Sequence, residues 1–85
     1  MRGFTVVWWP PAQRDLTKLW IAADDRQAIA DAADRIEKLL SKLPSAAGID
    51  IAEGLRGLYE DPLYVQFSVN EGDRIVTVGS VRLIS

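Results

Sequence analysis

Leu63-Tyr64-Val65-Gln66-Phe67-Ser68-Val69 is the stretch on which the fold turns. Its apolar residues, Leu63, Val65, Phe67 and Val69, alternate with Tyr64, Gln66 and Ser68. Successive side chains of a strand point to opposite faces, so this period predicts a strand with one buried and one open face. Asn70-Glu71-Gly72-Asp73 then supplies the residues of a hairpin turn. Residues 75–84 read as the returning strand, with Gly79 marking a bulge. Upstream, residues 55–60 read as a shorter strand, joined to the central one by a tight turn at Asp61-Pro62. Three strands with such short links predict an antiparallel meander.

Before residue 44 the period changes. Ala12, Leu16, Leu19, Trp20 and Ala23 follow the spacing of one helical face, and Pro11 suits the first position of that helix. Asp24-Asp25 interrupts, and either residue can cap a second helix. Ala28, Ile29, Ala32, Ala33, Ile36, Leu39, Leu40 and Leu43 then repeat with helical spacing until Pro44 stops the run. Asp31 with Arg35 and Asp34 with Lys38 are acid-before-base pairs one turn apart. So short a break predicts an antiparallel helical hairpin. Residues 44–53 read as an irregular connection. At the N-terminus, residues 4–9 are aromatic and β-branched, which predicts a strand, and being apolar on both faces it is expected to be well covered. The whole chain, 1–85, reads as a single α+β domain, β-α-α-β-β-β, with the helical hairpin packed on a small antiparallel sheet.

Composition excludes much chemistry. The 85 residues include no cysteine and no histidine. Disulfides, thiolate nucleophiles and imidazole general bases are therefore all ruled out. No apolar run approaches the length that spans a bilayer, and the N-terminal run from Met1 stops at Pro10-Pro11, too early for a secretory signal. The expectation is a cytoplasmic protein with no membrane partner. Ten basic and twelve acidic residues give a net charge of −2, a weak electrostatic footprint for nucleic acid. Residues 1–43 carry seven basic and six acidic groups, and residues 44–85 three and six. Asp24-Asp25 and Glu60-Asp61 are explained by capping and turn chemistry, so no metal and no cofactor is expected.

Gly54-Leu55-Arg56-Gly57-Leu58, the proline-started strand from Pro62 to Val69, and Ile75-Val76-Thr77-Val78-Gly79-Ser80-Val81-Arg82 together resemble the RelE/ParE family of toxin–antitoxin toxins. Ala12, Asp15, Leu16, Leu19 and Trp20 match its first helix, and Ile36, Leu39 and Leu43-Pro44 close the second. The resemblance implies the toxin component of a type II toxin–antitoxin system, neutralised by a cognate antitoxin that wraps it. In the RelE branch the activity is metal-independent endoribonuclease cleavage of ribosome-bound mRNA. In the ParE branch the target is DNA gyrase. The chain departs from the family pattern in three ways. Tyr64 stands where the family has an arginine, residues 44–53 carry no basic group, and the last strand has no tyrosine or histidine. The expectation is an mRNA endoribonuclease of low activity, with a gyrase poison or a catalytically degenerate, non-toxic antitoxin-binding module as the alternatives.

Under this resemblance the catalytic candidates are Arg56, Arg82 and Tyr64. The two arginines would stabilise charge developing on a phosphate, and Tyr64 would position or stack on the RNA. Arg56 equally suits an ion pair with Glu53, Glu60 or Asp61, or an antitoxin contact. Gln66, Ser68 and Ser80 are candidates for binding RNA or the partner. Strand register is expected to gather these residues with Arg56 into one concave polar patch. Tyr59 reads as packing and Arg74 as a solvated charge beside a turn. Trp8, Trp9 and Trp20 read as core, with Trp8 or Trp9 an alternative anchor for a partner.

Overall fold

The chain's first boundary is set by two prolines. Strand β1 (Thr5–Trp8) gives way to helix α1 (Pro10–Ala22), with Pro10 and Pro11 both in its first turn. The N–H groups of a first turn have no intrahelical partner, so a proline there loses nothing, and the helix starts one residue before the Pro11 expected. Helix α2 (Arg26–Lys42) is capped by Asp25, whose carboxylate accepts from the Ala28 N–H at 3.1 Å. Arg26 reaches back to close α1, donating to the Ile21 carbonyl at 3.1 Å while its guanidinium lies 4.8 Å over the Trp20 ring. The periodic face of α2, Ile29, Ala32, Ala33, Ile36 and Leu40, is buried. Pro44, just beyond the helix end, is also fully buried.

A computed structural model describes residues 3–84. Met1 and Arg2, part of the N-terminal run, and Ser85, the last residue, lie outside the described residues. The meander is present as β3 (Leu55–Glu60), β4 (Leu63–Asn70) and β5 (Ile75–Leu83), paired antiparallel. The sheet is larger than the sequence suggested. Residues Ile49–Ala52, expected to be irregular, form β2 and pair antiparallel with β3. Gly48 at φ +69° turns the chain into that strand, and a side chain there would collide with the Gly57 carbonyl. Strand β1 lies parallel to β5, so the five-stranded sheet, in order β1-β5-β4-β3-β2, is mixed rather than wholly antiparallel. The cover expected over both faces of β1 is absent, because it is an edge strand. Val6 and Trp8 pack towards the core, while Thr5 and Val7 are exposed.

Both helices lie on one face of the sheet. Leu63, Val65 and Phe67 of β4, Val76, Val78 and Val81 of β5, and Leu58 of β3 form one cluster with Ile29, Ile36 and Leu40 of α2. Register explains why Val78 and Val81, three residues apart, both point inward. Val78 pairs with Phe67 and Ser80 with Gln66, leaving Gly79 as the extra residue of a bulge. Without it the alternation would turn Ser80 into the core. Trp8 sits against this cluster with its indole Nε1 buried and without a partner among the described residues.

The centre of the fold should be far less tolerant than its edge. Phe67→Ala is expected to cost about 3–5 kcal/mol. That is a large part of the roughly 4–13 kcal/mol that stabilises a domain of this length at 0.05–0.15 kcal/mol per residue. Val7→Ala, on the exposed side of β1, should cost less than about 1 kcal/mol. Urea unfolding of the two variants measures the contrast.

Candidate functional site

The face of the sheet away from the helices is built by register. Tyr59 pairs with Tyr64 across β3 and β4, and Tyr64 pairs with Arg82 across β4 and β5. Directly paired residues share a face, so Tyr59, Tyr64 and Arg82 form one cross-strand row. The next row is Gly57, Gln66 and Ser80. The bulge at Gly79 keeps Ser80 and Arg82 in phase with each other and with Tyr64.

Contacts hold the rows together. The Tyr59 and Tyr64 ring centroids are 4.5 Å apart at an interplanar angle of 42°. Arg82 places its guanidinium carbon 5.0 Å from the Tyr64 ring centroid, a cation–π arrangement. Gln66 donates from Nε2 to the Tyr64 hydroxyl at 3.2 Å, and the Ser80 hydroxyl donates to Gln66 Oε1 at a long 3.5 Å. Gly57 makes room, since a Cβ there would lie 2.5 Å from the Tyr64 hydroxyl and 2.6 Å from Ile51 Cδ1. Tyr64 is consequently buried, at 7% exposure, whereas Tyr59 beside it is 61% exposed. A recess of about 350 Å³ opens between Tyr59, Tyr64, Arg82, Leu83 and Ile84.

Five of the six candidate residues therefore share this face: Arg82, Tyr64, Gln66, Ser80 and Ser68, the last pairing with Thr77 beyond the bulge. Arg56 does not join them. It pairs with Phe67 and so points to the helix side. There its Nε donates to the Ala47 carbonyl at 3.0 Å, its Nη2 to the Gly48 carbonyl at 3.2 Å, and its Nη1 to the Asp50 carboxylate. All three acceptors lie in the turn and strand that precede it, so Arg56 clasps β2 onto β3. Its partner is Asp50, not Glu53, Glu60 or Asp61. Glu60 is instead held by Arg35, which donates from Nε at 2.9 Å and from Nη2 to the Asp61 carbonyl at 3.0 Å. The single concave patch expected to include Arg56 does not form, because one residue of strand period separates the two faces.

Four other sequence expectations change. Tyr64 offers no free ring face for stacking. Tyr59, read as packing, is the exposed ring, and its pairing with Tyr64 could have been found from the Asp61-Pro62 turn, which sets that register. Arg74 is not a free surface charge: in left-handed geometry at φ +55°, it donates to the Gly3 carbonyl at 3.3 Å and lies 4.4 Å over the Phe4 ring. Trp9, read first as core, is more than half exposed.

An antiparallel meander with a parallel edge strand and a helical hairpin on one face is the fold of RelE/ParE-type toxins. No protein-family model and no curated protein matches the sequence. Solved structures do match. A chain of the RelBE2 toxin–antitoxin complex from Mycobacterium tuberculosis superposes with a TM-score of 0.75 at 17% identity, covering 98% of this chain and 93% of that one. A chain of the chromosomal ParDE toxin–antitoxin system from P. aeruginosa gives 0.76 at 16% identity, covering 96% and 97%. Among the described residues no group of three or more acidic side chains is placed to hold a metal ion, and no helix is long and apolar enough to cross a membrane.

The clasp assigns Arg56 a cost of removal that is structural. Arg56→Ala should destabilise the domain by about 1–3 kcal/mol, mostly through the charge-assisted hydrogen bond to the part-buried Ala47 carbonyl, since the Gly48 and Asp50 acceptors are exposed. At roughly 4–8 °C per kcal/mol for a domain of this size, the melting temperature should fall measurably. Arg56→Lys should not restore it, because one ammonium cannot reach three acceptors in a fork. Asp50→Asn should change little, since the Asp50 side chain is 81% exposed. A thermal melt in which the alanine variant matches the parent would refute the clasp.

Proposed function

We propose that this chain is the toxin component of a type II toxin–antitoxin pair, held by a cognate antitoxin. The observation that carries the reading is the likeness, over nearly the whole chain, to chains of two toxin–antitoxin complexes. Surface character supports it. A groove of about 240 Å³ between α1 and α2 is lined mainly by apolar groups of Leu16, Trp20, Ile29 and Ala33. Trp9, Ile21, Ile49 and Tyr59 are exposed elsewhere. Uncovered apolar surface distributed over both sides of a small domain suits a partner that wraps it.

For the activity itself, the open sheet face supports an RNA-directed site of low turnover. The 2′-hydroxyl oxygen would attack the adjacent phosphorus, the bond to the 5′ oxygen would break, and the products would be a 2′,3′-cyclic phosphate and a 5′-hydroxyl. Arg82 would stabilise the charge gathering on the phosphate oxygens. Tyr64, held by Gln66, would fix the position of Arg82 through the ring beneath its guanidinium. With no histidine in the chain, the proton of the 2′-hydroxyl has no strong acceptor in this row, which is the physical reason for slow cleavage. One observation favours a second reading, poisoning of DNA gyrase. Arg56 is committed to Ala47, Gly48 and Asp50, so among the described residues the cross-strand rows of the open face offer Arg82 as their one cation for catalysis.

Induced expression in a bacterial host tests the proposal. The parent chain should arrest growth, and Arg82→Ala, at matched soluble levels, should relieve the arrest. New RNA ends bearing 5′-hydroxyls are the expected product. Arrest with chromosomal breaks and intact RNA would move the target to gyrase. Growth unaffected by soluble, folded parent protein would sink the toxin reading and leave a non-toxic antitoxin-binding module.

A further inference from the structure

We infer that Tyr59, and not Tyr64, is the platform on which a nucleobase of single-stranded RNA stacks; this rests on the RNA-directed reading of the open sheet face. Four observations converge. Tyr59 has the exposed ring of the tyrosine pair, at 61% against 7%. Its inner side is braced on the Tyr64 ring at 4.5 Å, so the ring is held in place before any ligand arrives. Tyr64 is itself enclosed, by Tyr59 on one flank and by the Arg82 guanidinium on the other. The recess of about 350 Å³ beside the pair is bounded by Arg82, so a cation stands at the end of the aromatic surface.

The dimensions suit one nucleotide. Tyr59 and Arg82 are separated by two strand spacings, about 10 Å between backbones. Their side chains meet the same recess, so a base laid on Tyr59 leaves its own or the adjoining phosphate within reach of Arg82. Base stacking on an aromatic ring is indifferent to net charge, whereas phosphate contacts are not. The recess is bordered by one cation, Arg82, in a chain of net charge −2, so on this reading phosphate contacts there are few and stacking supplies the larger share of the affinity. This division of labour gives the two residues different signatures. Tyr59 contributes affinity that salt does not screen, and Arg82 contributes the salt dependence.

The probe is a fluorescein-labelled single-stranded RNA decamer, titrated by fluorescence anisotropy at several salt concentrations, beside the same decamer carrying abasic positions. Tyr59→Ala should weaken binding of the native decamer by about 10- to 100-fold, the range for one stacked base. The slope of log K against log salt should not change. Tyr59→Phe, which keeps the ring, should bind like the parent. Arg82→Ala should flatten the salt slope by about 0.7, the value for one phosphate on a single strand. On the abasic decamer the parent and Tyr59→Ala should bind alike. Tyr59→Ala gives up the ring contact with Tyr64 and should melt a few degrees lower, Tyr59→Phe should melt like the parent, and the abasic comparison separates lost stacking from lost folding. A native decamer bound equally by the parent and Tyr59→Ala would overturn the role of Tyr59 and leave the RNA-directed reading standing. A decamer that the parent does not bind at any salt would overturn both.

Discussion

Every other feature of this domain depends on the burial of one side of β4. Leu63, Val65 and Phe67 are completely enclosed, between the flanking strands and the Ile36–Leu40 face of α2. A chain this short buries only about 60–65% of the surface its unfolded form exposes, so the hydrophobic term has little to spare. With the helices committed to that one side, the other side of the sheet is left open. The open face exists because the domain is too small to cover both sides of its sheet.

The open face is kept in order by devices that lie outside it. The bulge at Gly79 turns Ser80 and Arg82 outward while Val78 and Val81 both stay in the core. Gly57 yields space for Tyr64 and Ile51. Arg56, from the helix side, holds the strand whose Ile51 packs over that glycine. Arginine in a strand with small and apolar neighbours invites a catalytic reading, yet here its fork is filled by two carbonyls and a carboxylate of its own chain. A guanidinium so occupied is a structural fastener, and what it fastens is the border of the tyrosine row.

Where the sequence was legible, one periodicity dominated. The alternation in β4 and the helical repeat in α2 each put apolar residues on one side, and both elements formed as their patterns required. β3 was legible as a strand but not in its facing, because neither Leu55-Gly57-Tyr59 nor Arg56-Leu58-Glu60 is an apolar set. Only pairing with Phe67 and Val65 decides that Arg56 and Leu58 turn inward. β2 was not legible at all. Ile49-Asp50-Ile51-Ala52 is four residues between two glycine turns, with an extra residue at Ile51, and every one of its side chains is exposed. Its pairing comes from β3 rather than from any pattern of its own. The edge position of β1 was hidden for a related reason: an apolar run reads as buried, and only topology places it at a border. The candidate site was legible as residues but not as geometry: five of the six share a face, Arg56 turns to the other, and the exposed ring of the tyrosine pair is Tyr59 rather than Tyr64.

The parallel pairing of β1 with β5 also constrains how the molecule can be made. Thr5 pairs with Ile75, 70 positions later by subtraction. At the roughly 5–20 residues per second of ribosomal synthesis, the first strand waits on the order of 4–14 s for its neighbour. Strand β5 lies between β1 and β4, so a nascent chain lacking it has β1 stranded with nothing to pair. The sheet cannot grow outward from the N-terminus as it emerges. Its closure waits for β5, which must pair with both the first strand and the fourth, and a translation product cut short of β5 has no continuous sheet on which the open face could be displayed.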